Sequence, residues 1–277
     1  MTLTLRRVVA GIFFAALAGC DSSQPLSGKS AQKAVCTNPV AGEVSYCEQR
    51  DYPDLATSGS AQMRSTNGFV YATGDGRSTI SLTALVYAKA ATEARAKEIA
   101  AQVVVHTSDD DFYATGPENL QSAESWGVSF DAMTPATFNL NAHSLNDNLQ
   151  LSALNGNLDA STTNGDARLN GLSGSVQAAT TNGSITISLA GTSWTGEGLR
   201  ADASNGSVFF GAPADYSARV TLDAQNGTTE SDFSGGTTTE PSPTDSHYEV
   251  TLGNGGALLT GSARNGNAEL RQQNSTP

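Results

Sequence analysis

Two stretches of this chain say the same thing eighteen residues apart. Ala160-Ser161-Thr162-Thr163-Asn164-Gly165-Asp166-Ala167-Arg168-Leu169 is answered by Ala178-Ala179-Thr180-Thr181-Asn182-Gly183-Ser184-Ile185-Thr186-Ile187. The Asn-Gly pair also occurs at Asn155-Gly156, Asn205-Gly206 and Asn265-Gly266, with a weaker copy at Asn226-Gly227 and an early one at Asn67-Gly68. Apolar residues sit three and five places after the Asn: Leu158 and Ala160, Ala167 and Leu169, Ile185 and Ile187, Val208 and Phe210, Ala268 and Leu270. Such spacing describes a turn followed by a short strand with one buried face. A unit this small cannot bury its apolar side alone, so neighbouring copies must stack. The expected fold is all-β, a parallel β-helix or β-solenoid-like stack of short strands.

Asn-Gly suits a corner because Gly adopts positive φ freely and Asn tolerates it. Asn can also bond its own backbone across a turn. Stacked copies would bring the side-chain amides into a ladder, and the preceding Thr residues favour extended backbone. Two places break the rhythm. Residues 191–199 form a longer loop around Trp194, and residues 233–247 carry Gly235-Gly236, a threonine run, Pro241 and Pro243. The second stretch is expected to bulge from the body. The copy at Asn226 is followed by Thr229 and Ser231, so its coil is expected to be irregular. The last coil, from Tyr248 to Leu270, is expected to close the stack.

One segment has helical spacing. Ala96, Ile99, Ala100 and Val103 share a face, Thr92 is a suitable N-cap and Glu93 lies in the first turn, which predicts a short helix over about 92–103 docked on a sheet. The domain reading is a signal peptide at 1–20, a flexible tether at 21–59, a solenoid domain at 60–272 with repeats from about 144, and a disordered tail at 273–277.

The beginning of the chain indicates a compartment. Arg6 and Arg7 precede a short apolar run that ends in Leu17-Ala18-Gly19-Cys20. The run is too short for a membrane span. It resembles the lipobox of bacterial lipoproteins, which implies cleavage before Cys20, acylation of that cysteine with palmitate-type chains, and a periplasm-facing protein held on the cell-envelope membrane. Asp21 resembles an inner-membrane retention signal of enteric bacteria, a rule that varies between lineages, so inner and outer membrane both stay open. Cys36 and Cys47, close together in an exported chain, suggest a disulfide that braces the entry to the fold.

Composition excludes several functions. With 15 Lys and Arg against 27 Asp and Glu, the formal charge is -12. No basic patch with interleaved aromatics exists, so nucleic acid is not an expected partner. His106, His143 and His247 are dispersed and make no zinc motif. Asp109-Asp110-Asp111 lacks the spacing of a calcium loop and reads as a solvated turn. Neither a metal nor a cofactor is expected, and no catalytic residue is assigned. Asp159 and Asp166 could approach one another as a carboxylate pair, but no groove is implied by the sequence. Trp126 is expected to pack on the core or the helix. Trp194, flanked by glycines, is either a cap on a neighbouring coil or a contact residue.

The Thr-Thr-Asn-Gly stretches at 161–166 and 179–184, with later landmarks at residues 193–201, 213–218, 252–256 and 263–266, resemble the putative-adhesin (DUF4097) family of bacterial envelope proteins. The resemblance spans roughly Ser60 to Gln272 and implies a β-solenoid-like fold in an exported protein, with no enzyme activity. The function expected is therefore a non-enzymatic, lipid-anchored envelope scaffold that binds or assembles envelope components, with an envelope protein or a polysaccharide as partner. The competing readings are a carbohydrate-active β-helix hydrolase or lyase and a purely structural lipoprotein.

Overall fold

The computed structural model describes residues 44–242 and 244–273. Cys20, Cys36 and the expected signal peptide lie outside the described residues.

The repeats build the body. A long strand, β10 (Asn155–Asn164), turns a corner into a short one, β11 (Ala167–Asn170). The next coil repeats this with β12 (Ser173–Asn182) and β13 (Ile185–Ser188), and the next with β14 (Gly198–Asn205) and β15 (Val208–Pro213). Long strands pair in parallel with long, short with short. Asn164 lies opposite Asn182 and Asn182 opposite Asn205, while Leu169, Ile187 and Phe210 fall in one row. The alternation places Leu158, Ala160, Ala167, Leu169, Ile185, Ile187, Val208 and Phe210 between the two sheets, all buried. Full burial of a Leu, Ile or Phe contributes about 2 kcal/mol relative to exposure, so each coil is stabilised mainly by its neighbours.

Towards the N-terminal end the same pattern continues through β8 (Asn139–Ser144) and β9 (Leu149–Ser152), then β2 (Ser60–Ser65) and β3 (Val70–Asp75). Beyond that coil the pairing changes. β3 meets β7 (Ser125–Pro135), which pairs antiparallel with β4 (Ile80–Ala90), which pairs antiparallel with β1 (Val44–Leu55). In the other sheet β2 meets β6 (Asp111–Thr115), backed by β5 (Val104–His106). The helix α1 (Glu93–Ala101) closes the core here. Its Ala96, Ile99 and Ala100 are fully buried, and the Arg95 amide donates to the Thr92 hydroxyl at 3.3 Å, so Thr92 is the N-cap. Arg50 of β1 fastens the helix end by donating to the Ala100 and Val103 carbonyls. Part of the expected tether is thus a twelve-residue strand of the fold.

The C-terminal end departs from the expected order. β16 (Ala218–Ala224), β17 (Thr229–Ser231), β18 (Thr237–Ser242) and β19 (Asp245–Leu252) come before β20 (Leu258–Asn265) and β21 (Ala268–Gln273) in the chain. In space the last coil is inserted. β20 lies between β14 and β16, and β21 between β15 and β17. The final coil therefore does not close the stack. The reason is chemical: β21 offers Ala268 and Leu270 to the core, whereas β17 offers Thr229 and Ser231, which are only half-buried and suit an end position with one neighbour. The Pro-Thr stretch is also no simple bulge. β18 pairs antiparallel with β19 at the sheet edge, where Pro241 costs no interior ladder bond.

The corner after each long strand carries three columns of contacts. Along the stack each Asn amide donates to the one before it: Asn146 to Asn67, Asn164 to Asn146, Asn182 to Asn164, Asn205 to Asn182, Asn265 to Asn205 and Asn226 to Asn265, at 2.8–3.0 Å. One residue past the Gly, a side-chain oxygen accepts the amide of the next coil, as Asp166 does from Ser184 at 3.0 Å and Ser184 from Ser207 at 3.2 Å. Two residues before the Asn, a buried hydroxyl donates to a corner carbonyl: Ser144 to Gly68, Thr162 to Asp147, Thr180 to Gly165.

Glycine recurs chiefly because the stacked backbones touch. A Cβ on Gly183 would collide with the Gly165 carbonyl, one on Gly206 with Gly183, and one on Gly266 with Gly206. Their φ values of 150–157° add a smaller preference. Asn155-Gly156 does not belong to this corner. It starts β10, and Gly156, Gly174 and Gly196 form a second backbone-contact column at the opposite turn. Asn146 takes its place in the ladder.

Gly206→Ala is expected to destabilise the fold by about 3 kcal/mol, the upper range for overpacking. Gly76→Ala, where a Cβ meets nothing, should be near neutral in the same urea titration. Thr180→Val should cost about 1–2 kcal/mol by stranding a carbonyl, and Thr181→Val, on the exposed side, much less.

Candidate functional site

Because β-strand side chains alternate, the outward positions of the eleven-stranded sheet form straight rows across the coils. One row runs Gln62, Asn141, Asp159, Gln177, Arg200 from β2 to β14. A parallel row runs Ser60, Asn139, Asn157, Ser175. Between them and the Asp109–Asp111 turn lies an open groove of about 700 Å³, reaching as far as Glu197. Its lining is mainly amide, hydroxyl and carboxylate, completed by Ala61, Leu140 and Leu158. Asp109, Asp110, Asp111, Asp159 and Glu197 contribute to it, and no Lys or Arg lines it.

The aspartate turn is more structured than a solvated loop. Asp109 and Asp110 hold φ of 58° and 57°. Asp110 Oδ2 accepts the Ser58 amide at 2.9 Å and the Ser58 hydroxyl at 2.7 Å. Burial works against ionisation of Asp110, and the two Ser58 donors together with the Thr57 hydroxyl outweigh it, holding its carboxyl below the usual range. Asp111 takes both its bonds from Arg64. Together these fix one wall of the groove against the end of the β2–β3 coil.

The residues singled out from sequence do not converge there as a set. Asp166 is used by the corner column, is paired with Arg168 at 3.4 Å, and does not line the groove that Asp159 lines. His106 stacks on Tyr113 with centroids 4.4 Å apart, and His143 bonds the Ser161 hydroxyl at 3.0 Å. No group of three or more His, Cys, Asp or Glu side chains suited to a metal occurs among the described residues. Trp126 packs over Gly116 and donates to the Pro117 carbonyl at 3.1 Å. Trp194 is a capping residue: it is 7% exposed and its indole N–H donates to the Gly174 carbonyl of the neighbouring coil at 3.0 Å. The groove itself was hidden in the sequence, since its residues lie on strands far apart in the chain and carry no motif.

A second polar centre lies near the C-terminal edge. His247 Nδ1 is 2.6 Å from Asp223 Oδ1 on β16, and its Nε2 is 3.1 Å from Glu249 Oε1. The Asp223 bond foremost, with Glu249 behind it, raises the His247 pKa above its ordinary value.

No family model matches the chain, and no curated protein matches it in sequence. Solved structures are similar in outline. A putative cell adhesion protein from Clostridium sporogenes shares 9% identity, with 82% of this chain and all of that chain covered, at a TM-score of 0.42. A putative adhesin from Bacteroides fragilis shares 11% identity, covering 82% and 97%, at 0.36. A putative lipid binding protein from Parabacteroides distasonis shares 7%, also covering 82% and 97%, at 0.31.

For His247, a raised folded-state pKa means that its ion pairs stabilise the fold below the unfolded pKa near 6.5, and that this contribution fades as pH rises through the folded value. An NMR titration should place His247 above the ordinary histidine value, and Asp223→Asn should bring it down.

Proposed function

We propose that this chain is a non-catalytic, lipid-anchored scaffold of the bacterial cell envelope that holds an extended, uncharged polysaccharide in the groove of the eleven-stranded sheet. The observation that carries the reading is the in-register row of Gln62, Asn141, Asp159 and Gln177. Rungs recur about every 4.8 Å, so a linear polymer lying across the strands meets an equivalent hydrogen-bonding group at each step. The carboxylates disfavour polyanions, and the net charge of -12 acts in the same direction. The Thr-Thr-Asn-Gly corners support placing the chain with DUF4097 envelope proteins. Attachment would rest on acylated Cys20, because an acidic surface gains nothing from anionic headgroups.

Two measurements test this. The double variant Asp159→Ala, Gln177→Ala should bind a neutral envelope glycan about tenfold more weakly than the parent, equivalent to about 1.4 kcal/mol, with its melting temperature unchanged. Equal binding by both proteins, or preference for an acidic glycan, would remove the groove from the account. Separately, Cys20→Ala should shift the protein from the membrane fraction to the aqueous one and abolish incorporation of labelled palmitate.

A further inference from the structure

Just beyond the end of the polar groove the eleven-stranded sheet splits. β2 and β6 pair only at Gln62↔Asp111 and Met63↔Phe112, although β2 runs on to Ser65 and β6 to Thr115. The Gln62 amide donates to the Asp110 carbonyl at 2.8 Å, so the even-numbered residues of both strands turn their main-chain groups towards each other. The next rung would join the Arg64 carbonyl to the Ala114 amide, and pairing stops before it. A cavity of about 270 Å³ opens in this fork, with Arg64, Ser65 and Asn67 on one side and Tyr113 and Ala114 on the other. Val128 and Phe130 of β7, from the facing sheet, stand behind it beside Trp126.

The side chains around the cavity are already engaged. The Ser65 hydroxyl donates to the Val128 carbonyl at 2.7 Å, and the Asn67 side-chain amide to the Trp126 carbonyl at 3.2 Å. Arg64 donates to both carboxylate oxygens of Asp111, and its guanidinium lies 4.9 Å from the centre of the Tyr113 ring. The charge of Arg64 is thus paired, which favours an uncharged ligand. Trp126 is fixed from behind, since a Cβ on Gly116 would stand 2.5 Å from its ring. What the fork leaves over is one main-chain acceptor, one main-chain donor and an apolar wall. Main-chain groups turned into a gap need a partner or water.

An amide matches this set. In a trans amide the N–H and C=O point in opposite directions, so one can meet the Arg64 carbonyl while the other meets the Ala114 amide, as the peptide group of an added strand would. A methyl group on the amide carbonyl then faces Val128 and Phe130. Size narrows the choice. A space of 270 Å³ equals the liquid volume of about nine waters, enough for an acetamido group and the ring that carries it but not for a stretch of peptide. Position narrows it further, because Arg64 and His143 form the outward row next to Gln62 and Asn141, about 7 Å away along the strands. We propose that the β2–β6 fork binds the acetamido group of an N-acetylated amino sugar, and that this sugar is a unit of the neutral polymer held in the groove. The site deepens the groove reading and rests on it only for the polymer to which the sugar belongs.

The test follows the NMR signals of the full chain, with N-acetylglucosamine as the probe and glucose at equal concentration as the control. The Ala114 amide and the Trp126 indole N–H should shift with N-acetylglucosamine and not with glucose. Equal shifts with glucose, or shifts confined to other residues, would overturn the proposal. A stronger response to acetyl-alanine methylamide would overturn it too, by assigning the fork to a peptide. Ala114→Leu, which fills the cavity, should weaken the probe about tenfold. Should that variant fail to fold, the shift map of the parent decides alone. The Asp159→Ala, Gln177→Ala variant separates the two sites and should bind N-acetylglucosamine as the parent does, since neither residue lines the fork. A fork that responds in a chain binding no polymer would uphold this site and overturn its link to the groove. A polymer held in the groove while the fork stays silent to N-acetylglucosamine would leave the groove standing and overturn this site.

Discussion

The structure depends on how closely one corner backbone approaches the next. At the Asn-Gly turns the carbonyl of one coil occupies the space where the next coil would place a Cβ, as at Gly183 over Gly165 and Gly206 over Gly183. That contact sets the coil spacing at the corner, and the rest is arranged to satisfy the polar groups it confines. The Gly165 amide bonds the Asn182 carbonyl, the Gly183 amide that of Asn205, and the Gly206 amide that of Asn265. Asn side chains close the outer edge, and the Thr162 and Thr180 hydroxyls close the inner one. Head-to-tail amides of this kind polarise one another, so the ladder strengthens with length.

The same constraint explains why the last coil of the chain can enter the middle of the stack. The corner recognises local chemistry, not sequence order. Asn265-Gly266 meets Asn205-Gly206 on one side and Asn226-Gly227 on the other, with Asn267 supplying the acceptor that bonds Thr228. Folding must therefore bring residues 258–273 back past the β18–β19 hairpin before β17 gains a strand partner and before β16, paired on its other side with β19, joins the stack. Contacts of such sequence separation slow folding in general. The two ends are then blunted differently: an antiparallel cap and α1 at one, a short polar strand and an edge hairpin at the other, which limits edge-to-edge pairing.

Much of the body was legible in sequence because its signal is local and repeated. Leu169, Ile187 and Phe210 share a core row as their spacing demanded, and Thr92 caps the helix. Asn146 escaped notice because Asp147 follows it where other copies have Gly. Asn155 misled for the converse reason, since an identical dipeptide serves the opposite turn. The inserted coil was legible only in part: Thr229 and Ser231 after Asn226 mark a coil without an apolar face, but nothing local says that the Asn265 coil enters ahead of it. The groove was equally hidden. It is assembled from outward residues of several strands, and only register brings Gln62 beside Asn141.

A scaffold of this kind offers rigidity and regular spacing, and the proposed binding role rests on where its polar rows point. All of it presumes that exposed corners are as firmly bonded as the core. Amide hydrogen exchange measured residue by residue tests that directly. The account predicts that the backbone amides of Gly165, Gly183 and Gly206, though they lie at the surface, exchange as slowly as that of Ile187 and open only with global unfolding. Exchange at these glycines as fast as at Gly191 or Gly235, in ordinary loops, would contradict it.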